Sequence, residues 1–177
     1  MTQTLDIAVI GATGTVGETL VQILEERDFP VGNLHLLASS ESAGHSVPFR
    51  GKNVRVREVD EFDFGKVQLV FFAAGPAVTL SFAARATAAG CSVIDLSGAL
   101  PADQAPQVVP EANAQVLVGL KKPFRISSPS PSATTLAVVL APLLGLIDLQ
   151  RINLTACLAV SAQGREAVTE LARQTAE

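Results

Sequence analysis

The stretch that most constrains this chain is residues 5–17, an apolar run Asp6-Ile7-Ala8-Val9-Ile10 followed at once by Gly11-Ala12-Thr13-Gly14-Thr15-Val16-Gly17. The run has no helical spacing and is stopped by glycine, which marks a buried parallel strand. Behind it Val16, Leu20, Ile23, Leu24 and Arg27 recur at helical spacing, with Glu18, Glu25 and Glu26 elsewhere on the wheel, so an amphipathic helix is expected to pack on the sheet. Strand, glycine turn and helix together aim backbone N–H groups and the positive end of a helix dipole at one point, an arrangement that receives a pyrophosphate. In that reading Gly11 makes the tight turn, Gly14 lets the backbone approach a ligand, and Gly17 lets helix and strand pack closely. The spacing is GxxGxxG, one residue off the usual dinucleotide fingerprint, and glycine at such a turn also serves backbone geometry alone. Gly11, Thr13, Gly14, Thr15 and Val16 are the candidate cofactor-binding residues of this loop.

The rest of the chain repeats the alternation. Phe29-Pro30-Val31-Gly32-Asn33 reads as a turn and residues 34–38 as a second strand, followed by the polar loop Ser39-Ser40-Glu41-Ser42-Ala43-Gly44. Val54 and Val56, with Val59 after them, alternate with Arg55, Arg57 and Glu58, a strand with one wet face. Residues 69–73 form a central strand closed by Ala74-Gly75-Pro76. Residues 79–89 form an alanine-rich helix closed by Gly90, and residues 92–95 the next strand. Strands alternating with helices over short connections imply a Rossmann-like, doubly wound α/β fold with a parallel sheet. Its ligands gather at the carboxyl ends of the strands, here Gly11, Ala38, Ala73 and Asp95. Ser39 and Glu41 then fall near the adenosine ribose, and Gly75 joins the candidate set.

After a proline-rich connection over residues 101–110, residues 124–127 read as a short strand. Ser128-Pro129-Ser130-Pro131-Ser132 leads into an apolar helix beginning near Ala133, and residues 136–147 read as core. Ser130, Ser132, Ala133 and Thr134 form a possible anion site, because a helix start presents free N–H groups; water and capping side chains serve those groups equally well. Ile152, Leu154, Ala156, Leu158 and Val160 alternate with Asn153, Thr155, Cys157 and Ser161, a half-buried strand, with a helix from Arg165 to the end. The domain boundaries are set at 1–131 for the nucleotide-binding part and 132–177 for the beginning of a second domain.

Composition narrows the function classes. The chain is 48% hydrophobic and 17% charged, which is globular rather than disordered. Its net charge of −4 is spread along 177 residues with no basic cluster longer than Lys121-Lys122, which argues against nucleic acid. The longest apolar run is broken by Pro142 and Gly145 and is too short for a bilayer. Cys91 and Cys157 lie far apart, and no cationic, apolar leader is read at the start, so a reducing cytoplasm is expected and no disulfide framework. Cys91, at a strand start, and Cys157, in mid-strand, are both expected to pack structurally rather than react. His35 and His45 stand apart from any Asp/His/Cys cluster, so no metal site is expected.

Five dispersed segments, in order, carry a resemblance: Gly11-Ala12-Thr13-Gly14-Thr15-Val16-Gly17, Leu37-Ala38-Ser39, Ser42-Ala43-Gly44, Val108-Val109-Pro110-Glu111-Ala112-Asn113 and Ala159-Val160-Ser161-Ala162-Gln163-Gly164. Together they resemble aspartate-semialdehyde dehydrogenase across the whole chain. The resemblance implies a Rossmann domain, a second domain carrying catalytic and dimer contacts, NADP, and reduction of aspartyl phosphate through a cysteine thioester.

The chain departs from that pattern at the residues that do the chemistry. Where the family places its nucleophile in an Asn-Pro-Asn-Cys-Ser/Thr segment, this chain has Ser130-Pro131-Ser132-Ala133-Thr134, and a methyl group cannot attack a carbonyl. Leu158 stands at the glutamine position. The substrate arginine expected shortly after Asp95 has no counterpart in Leu96-Ser97-Gly98-Ala99-Leu100-Pro101. On the cofactor side, Glu41 replaces the arginine expected to grip a 2′-phosphate, and Pro76 and Ala77 replace the serines expected after Gly75. These departures point to a semialdehyde-dehydrogenase-like paralogue that binds a nucleotide, a small anion or a partner without catalysis. NAD is favoured over NADP, with binding of neither left open. The alternative is a working NAD(P)-dependent oxidoreductase of amino-acid biosynthesis using other residues. Relative to the family the chain stops soon after the second domain begins. The strand over 152–160 is therefore expected to pair with a second copy, as a homodimer, or with further polypeptide, rather than the last helix folding back on the first domain.

Overall fold

The short apolar runs Leu5–Ile10, Leu69–Phe72 and Ser92–Asp95 are strands in the computed structural model, which describes residues 4–176. In chain order the regular elements are β1 (Leu5–Ile10), α1 (Thr15–Glu26), β2 (Val31–Ala38), β3 (Ser46–Phe49), β4 (Lys52–Glu58), β5 (Leu69–Phe72), α2 (Pro76–Ala88), β6 (Ser92–Asp95), α3 (Pro110–Asn113), α4 (Gln115–Val118), β7 (Arg125–Ser127), α5 (Pro131–Leu140) and α6 (Arg165–Thr175). The strands form one seven-stranded sheet in the order β3-β4-β2-β1-β5-β6-β7, parallel except for the antiparallel β3–β4 pair.

Alternation along the strands divides the core into two layers. Ala8 and Ile10 of β1 and Val70 and Phe72 of β5 face one side, with Ala83 and Ala86 of α2 against them. Ile7 and Val9, with Leu69 and Phe71, face the other, where Val21 and Leu24 of α1 pack. Both faces are thus covered, as an all-parallel centre requires. β2 and β5 flank β1, so the connections leave β1 in opposite directions, and a crevice opens at its carboxyl end, where Gly11 lies. The expected α/β, doubly wound fold is the observed one.

Several local expectations are corrected. β2 begins at Val31, not Leu34: Val31 pairs with Leu5, and Asp6 Oδ1 accepts from Asn33 N at 2.7 Å and Nδ2 at 2.9 Å, which holds the supposed turn in the sheet. β3 was not expected at all. α2 starts at Pro76, where a fixed φ and a missing N–H suit the first helical position. The buried residues of α1 are Gly17, Val21 and Leu24, so the helix is rotated from the expected face and Val16 and Ile23 are exposed. Gly17 lets that face sit against the glycine turn.

The C-terminal third departs most. No residue of α5 is buried, and Leu144, Leu146 and Ile147 beyond it are exposed; the main neighbours of α5 are α3 and the 3-10 turn Ala141–Leu143. The expected strand over 152–160 is absent: residues 151–159 pair with nothing among the described residues, are exposed throughout, and lead into the 3-10 turn Val160–Gln163. An alternating pattern makes a strand only when a ladder partner satisfies its backbone. Cys157 is accordingly exposed rather than packed, whereas Cys91 is buried, with its thiol directed at the carbonyls of Phe64 (3.1 Å) and Val67 (3.3 Å) and its pKa raised by burial. Among the described residues α6 ends at Thr175, and the expected extension to Glu177 lies outside them.

His35, half-buried in β2 against the Phe62 ring at 5.2 Å, titrates below the ordinary histidine value, first because burial disfavours the cation and then because the Arg57 guanidinium is near.

Candidate functional site

Two of the three glycines of the β1–α1 turn are demanded by the fold. Gly11 has φ +84°, and a Cβ there would lie 2.7 Å from the Ala73 carbonyl oxygen in the loop after β5. A Cβ on Gly17 would lie 2.1 Å from the Gly11 carbonyl oxygen and 2.8 Å from Ala12 Cα, so this position admits no side chain. The turn is fixed to its neighbours as well: Gly11 N and Ala12 N both donate to Leu37 O, at 2.8 and 3.2 Å, and Ala73 N donates to Ile10 O at 2.8 Å.

Gly14 is different. The nearest atom to its missing Cβ is Gly11 O at 3.4 Å, an ordinary contact. It caps α1 in an extended conformation with no side-chain hydrogen bond to the first turn. Space and uncapped N–H groups therefore coincide at the positive end of a twelve-residue helix, which suits an anion. Gly75 starts α2 in the same way, without a side-chain cap.

A cleft of about 790 Å³ opens beside this turn. Of the sequence-predicted residues it is lined by Thr13 and Gly14, with Ser42 and His45 from the loop after β2. Gly11, Thr15, Val16, Ser39, Glu41 and Gly75 are not among its lining residues; Ser39 and Glu41 lie exposed at the carboxyl end of β2, where a 3-10 turn spans Ser40–Ser42. The opposite wall is Gln163, Gly164, Arg165, Glu166, Thr169 and Glu170. In the sequence Gln163 and Gly164 stand out only as part of the resemblance, and no local pattern marks Arg165. The signal that finds Arg165 is spatial: its Nη2 lies 3.1 Å from Glu18 Oε2 of α1, 147 positions away in sequence.

A second group of polar residues gathers at the carboxyl ends of β6 and β7. The fully buried Asp95 carboxylate accepts from Ser97 N (2.7 Å), Ser97 Oγ (2.6 Å), Leu100 N (3.0 Å) and Ser127 Oγ (3.3 Å), which fixes residues 97–100 and ties them to β7. Ser128 N donates to Asp95 O at 2.7 Å, and the chain then enters α5. Ser130 is the N-cap, its Oγ accepting from Ala133 N at 3.3 Å, while Thr134 Oγ1 donates to Pro129 O at 3.4 Å. Ser130, Ser132, Ala133 and Thr134 are thus brought together in the first turn, with two of the hydroxyls engaged in local capping. Leu158 lies in the exposed 151–159 segment. No group of three or more His, Cys, Asp or Glu that could hold a metal occurs among the described residues, and no helix there is long and apolar enough to cross a membrane.

Comparison with known proteins agrees with this fold. A USG-1 protein homolog of Azotobacter vinelandii is 58% identical over 177 residues, all of this chain and 53% of that protein. A probable aspartate-semialdehyde dehydrogenase from Pseudomonas aeruginosa superposes with TM-score 0.95 at 57% identity, covering 99% of this chain and 52% of that one. Aspartate semialdehyde dehydrogenase II from Vibrio cholerae, solved as a complex with ASA, gives TM-score 0.92 at 39% identity over 99% of this chain and 52% of its own. The chain spans about half the length of the relatives it matches. Residues 6–119 match the family described as semialdehyde dehydrogenase, NAD binding domain, and the chain belongs to that family.

Proposed function

We propose that this chain belongs to a semialdehyde-dehydrogenase-like protein that retains the scaffold without the thioester chemistry, residues 1–131 forming its dinucleotide-binding domain and residues 132–177 the beginning of a second. The single observation that carries the reading is Ala133: it sits in the first turn of α5, its N–H held by Ser130, where a helix dipole would favour a thiolate, and it offers a methyl group. The nucleotide half of the reading rests on the glycine turn. Gly14 and the first turn of α1 would hold a pyrophosphate, Ser39 and Glu41 would face the adenosine ribose, and Gly75 would border the pyrophosphate from the β5 side. A bound nicotinamide would be able to carry hydride chemistry, and the residues named here would bind and orient it.

Glu41 sets the preference. A carboxylate accepts hydrogen bonds from two ribose hydroxyls but meets a 2′-phosphate with like charge, so NAD is the expected partner rather than NADP. The exposed apolar side chains Ile152, Leu154, Leu158 and Val160 support association with a second copy or with further polypeptide.

A second reading, an active oxidoreductase, is favoured by one observation: a relative named aspartate semialdehyde dehydrogenase II aligns over nearly the whole chain. The two separate in one assay. Purified protein is incubated with aspartate semialdehyde, phosphate and NADP, then with NAD, and reduced cofactor is followed by absorbance. The expected result is no turnover above a no-protein blank; turnover in either mixture would establish the oxidoreductase instead.

A further inference from the structure

The cleft between the glycine turn and α6 is lined by five ionisable side chains, Glu18, His45, Arg165, Glu166 and Glu170, and Arg165 is its one fixed cation among the described residues. Its position is not explained by helix stability. α6 carries Glu166 in its first turn and Arg173 in its last, both matching the helix dipole, whereas Arg165 places a cation at the positive end. Its ion pair with Glu18 does not account for it either, because both side chains are about half exposed or more and such pairs contribute little to folding. What the pair does is bring a guanidinium to within reach of the first turn of α1, on the same cleft as Thr13 and Gly14.

We propose that Arg165 is a phosphate-contacting residue of this cleft, and that Glu18 competes with the pyrophosphate of a bound dinucleotide for the same guanidinium. The proposal rests on the dinucleotide reading above and adds to it a residue from the far side of the cleft. Glu18 lies in the first turn of α1, where an anion is favoured, and so already sits in the field that would attract phosphate. A pyrophosphate entering there presents more charge and more acceptor oxygens than one carboxylate, and arginine matches it with two parallel N–H donors. The exposed ion pair can therefore exchange partners at small cost. Of the carboxylates on α6, Glu170 is drawn away by Arg173, whose Nε and Nη2 donate to it at 3.0 Å, and Gln174 adds a third donor; these bonds hold its pKa below the usual value. Glu166 is left as the facing negative charge.

The test is a double-mutant cycle read by calorimetric titration of NAD into the full chain at low salt. Arg165→Gln is expected to weaken NAD binding roughly tenfold, the scale of one charge-assisted contact, and to flatten its salt dependence, with Arg165→Lys recovering part of the loss. Glu18→Gln is expected to tighten binding severalfold when Arg165 is present and to change it little in the Arg165→Gln background. Unchanged affinity in Arg165→Gln, with wild type binding normally, overturns the role of Arg165 and leaves the dinucleotide reading standing. An equal gain from Glu18→Gln in both backgrounds overturns the competition, since it reduces Glu18 to simple repulsion. A wild-type chain that binds neither NAD nor NADP overturns the dinucleotide reading and this proposal together. Both side chains are exposed, and circular dichroism of each variant confirms that the fold compared is the same.

Discussion

Gly17→Val is expected to destabilise the protein by about 3 kcal/mol or more, a large share of the roughly 5–15 kcal/mol that holds a domain of this kind folded. The cause is contact with backbone, which has nowhere to go. Even the first carbon of the new side chain would lie 2.1 Å from the Gly11 carbonyl oxygen and 2.8 Å from Ala12 Cα. Relief requires either lifting α1 from the sheet, which uncovers Val21 and Leu24, or opening the β1–α1 turn, which breaks the bonds of Gly11 and Ala12 to Leu37. Gly14→Ala is the contrasting case. Its Cβ meets nothing nearer than 3.4 Å, so it is expected to cost about 1 kcal/mol or less while obstructing a ligand at the helix start. Denaturant unfolding of the two variants checks this, and equal stabilities would mean that the two glycines do not divide between packing and binding.

Ala133→Cys is expected not to create a dehydrogenase. A thiol in the first turn of α5 gains the helix dipole, but on the proposed function the residues that would position and stabilise the reacting groups remain absent: Leu158 is where the family resemblance places a glutamine, and the loop anchored by Asp95 contains no arginine between Leu96 and Pro101. Losing one preorganised stabilising group costs roughly 10²–10³ in rate, and misplaced positioning of the substrate is of similar size. The variant should therefore remain at least about a thousandfold below an intact member of the family in the same absorbance assay. Activity within tenfold of such a member would mean that the thiol alone was lacking.

The parts of the fold that were legible in sequence are those whose signal is local. The apolar runs of β1, β5 and β6 are buried on both faces and bounded by glycine or polar turns, so each could be read without its neighbours. β3 was missed because Ser46-Val47-Pro48-Phe49 is short and carries a proline, which an edge strand tolerates and a pattern search discounts. The face of α1 was misread because Val16 and Ile23 are apolar yet exposed, while the position closest to the sheet is a glycine with no hydropathy to register. The error over residues 152–160 has the opposite origin. Their alternation is clear, but a strand is a property of two partners, and the described chain supplies one.

The candidate site divides in the same way. Thr13 and Gly14 follow from the strand–glycine–helix motif. Ser42 and His45 line the cleft because β2 ends beside β1 and the chain turns there into an antiparallel edge pair. Gln163, Gly164 and Arg165 reach it through a contact between the two ends of the chain, which no local periodicity encodes.

Calorimetric titration of NAD and of NADP into the purified chain, in parallel and at low salt, tests most directly the claim that the glycine turn is a working dinucleotide site beside Glu41. The expected result is saturable binding of NAD, tighter than that of NADP. Absence of binding by either nucleotide would reduce the turn to a structural feature of the fold, and tighter binding of NADP would contradict the place given to Glu41 at the adenosine ribose.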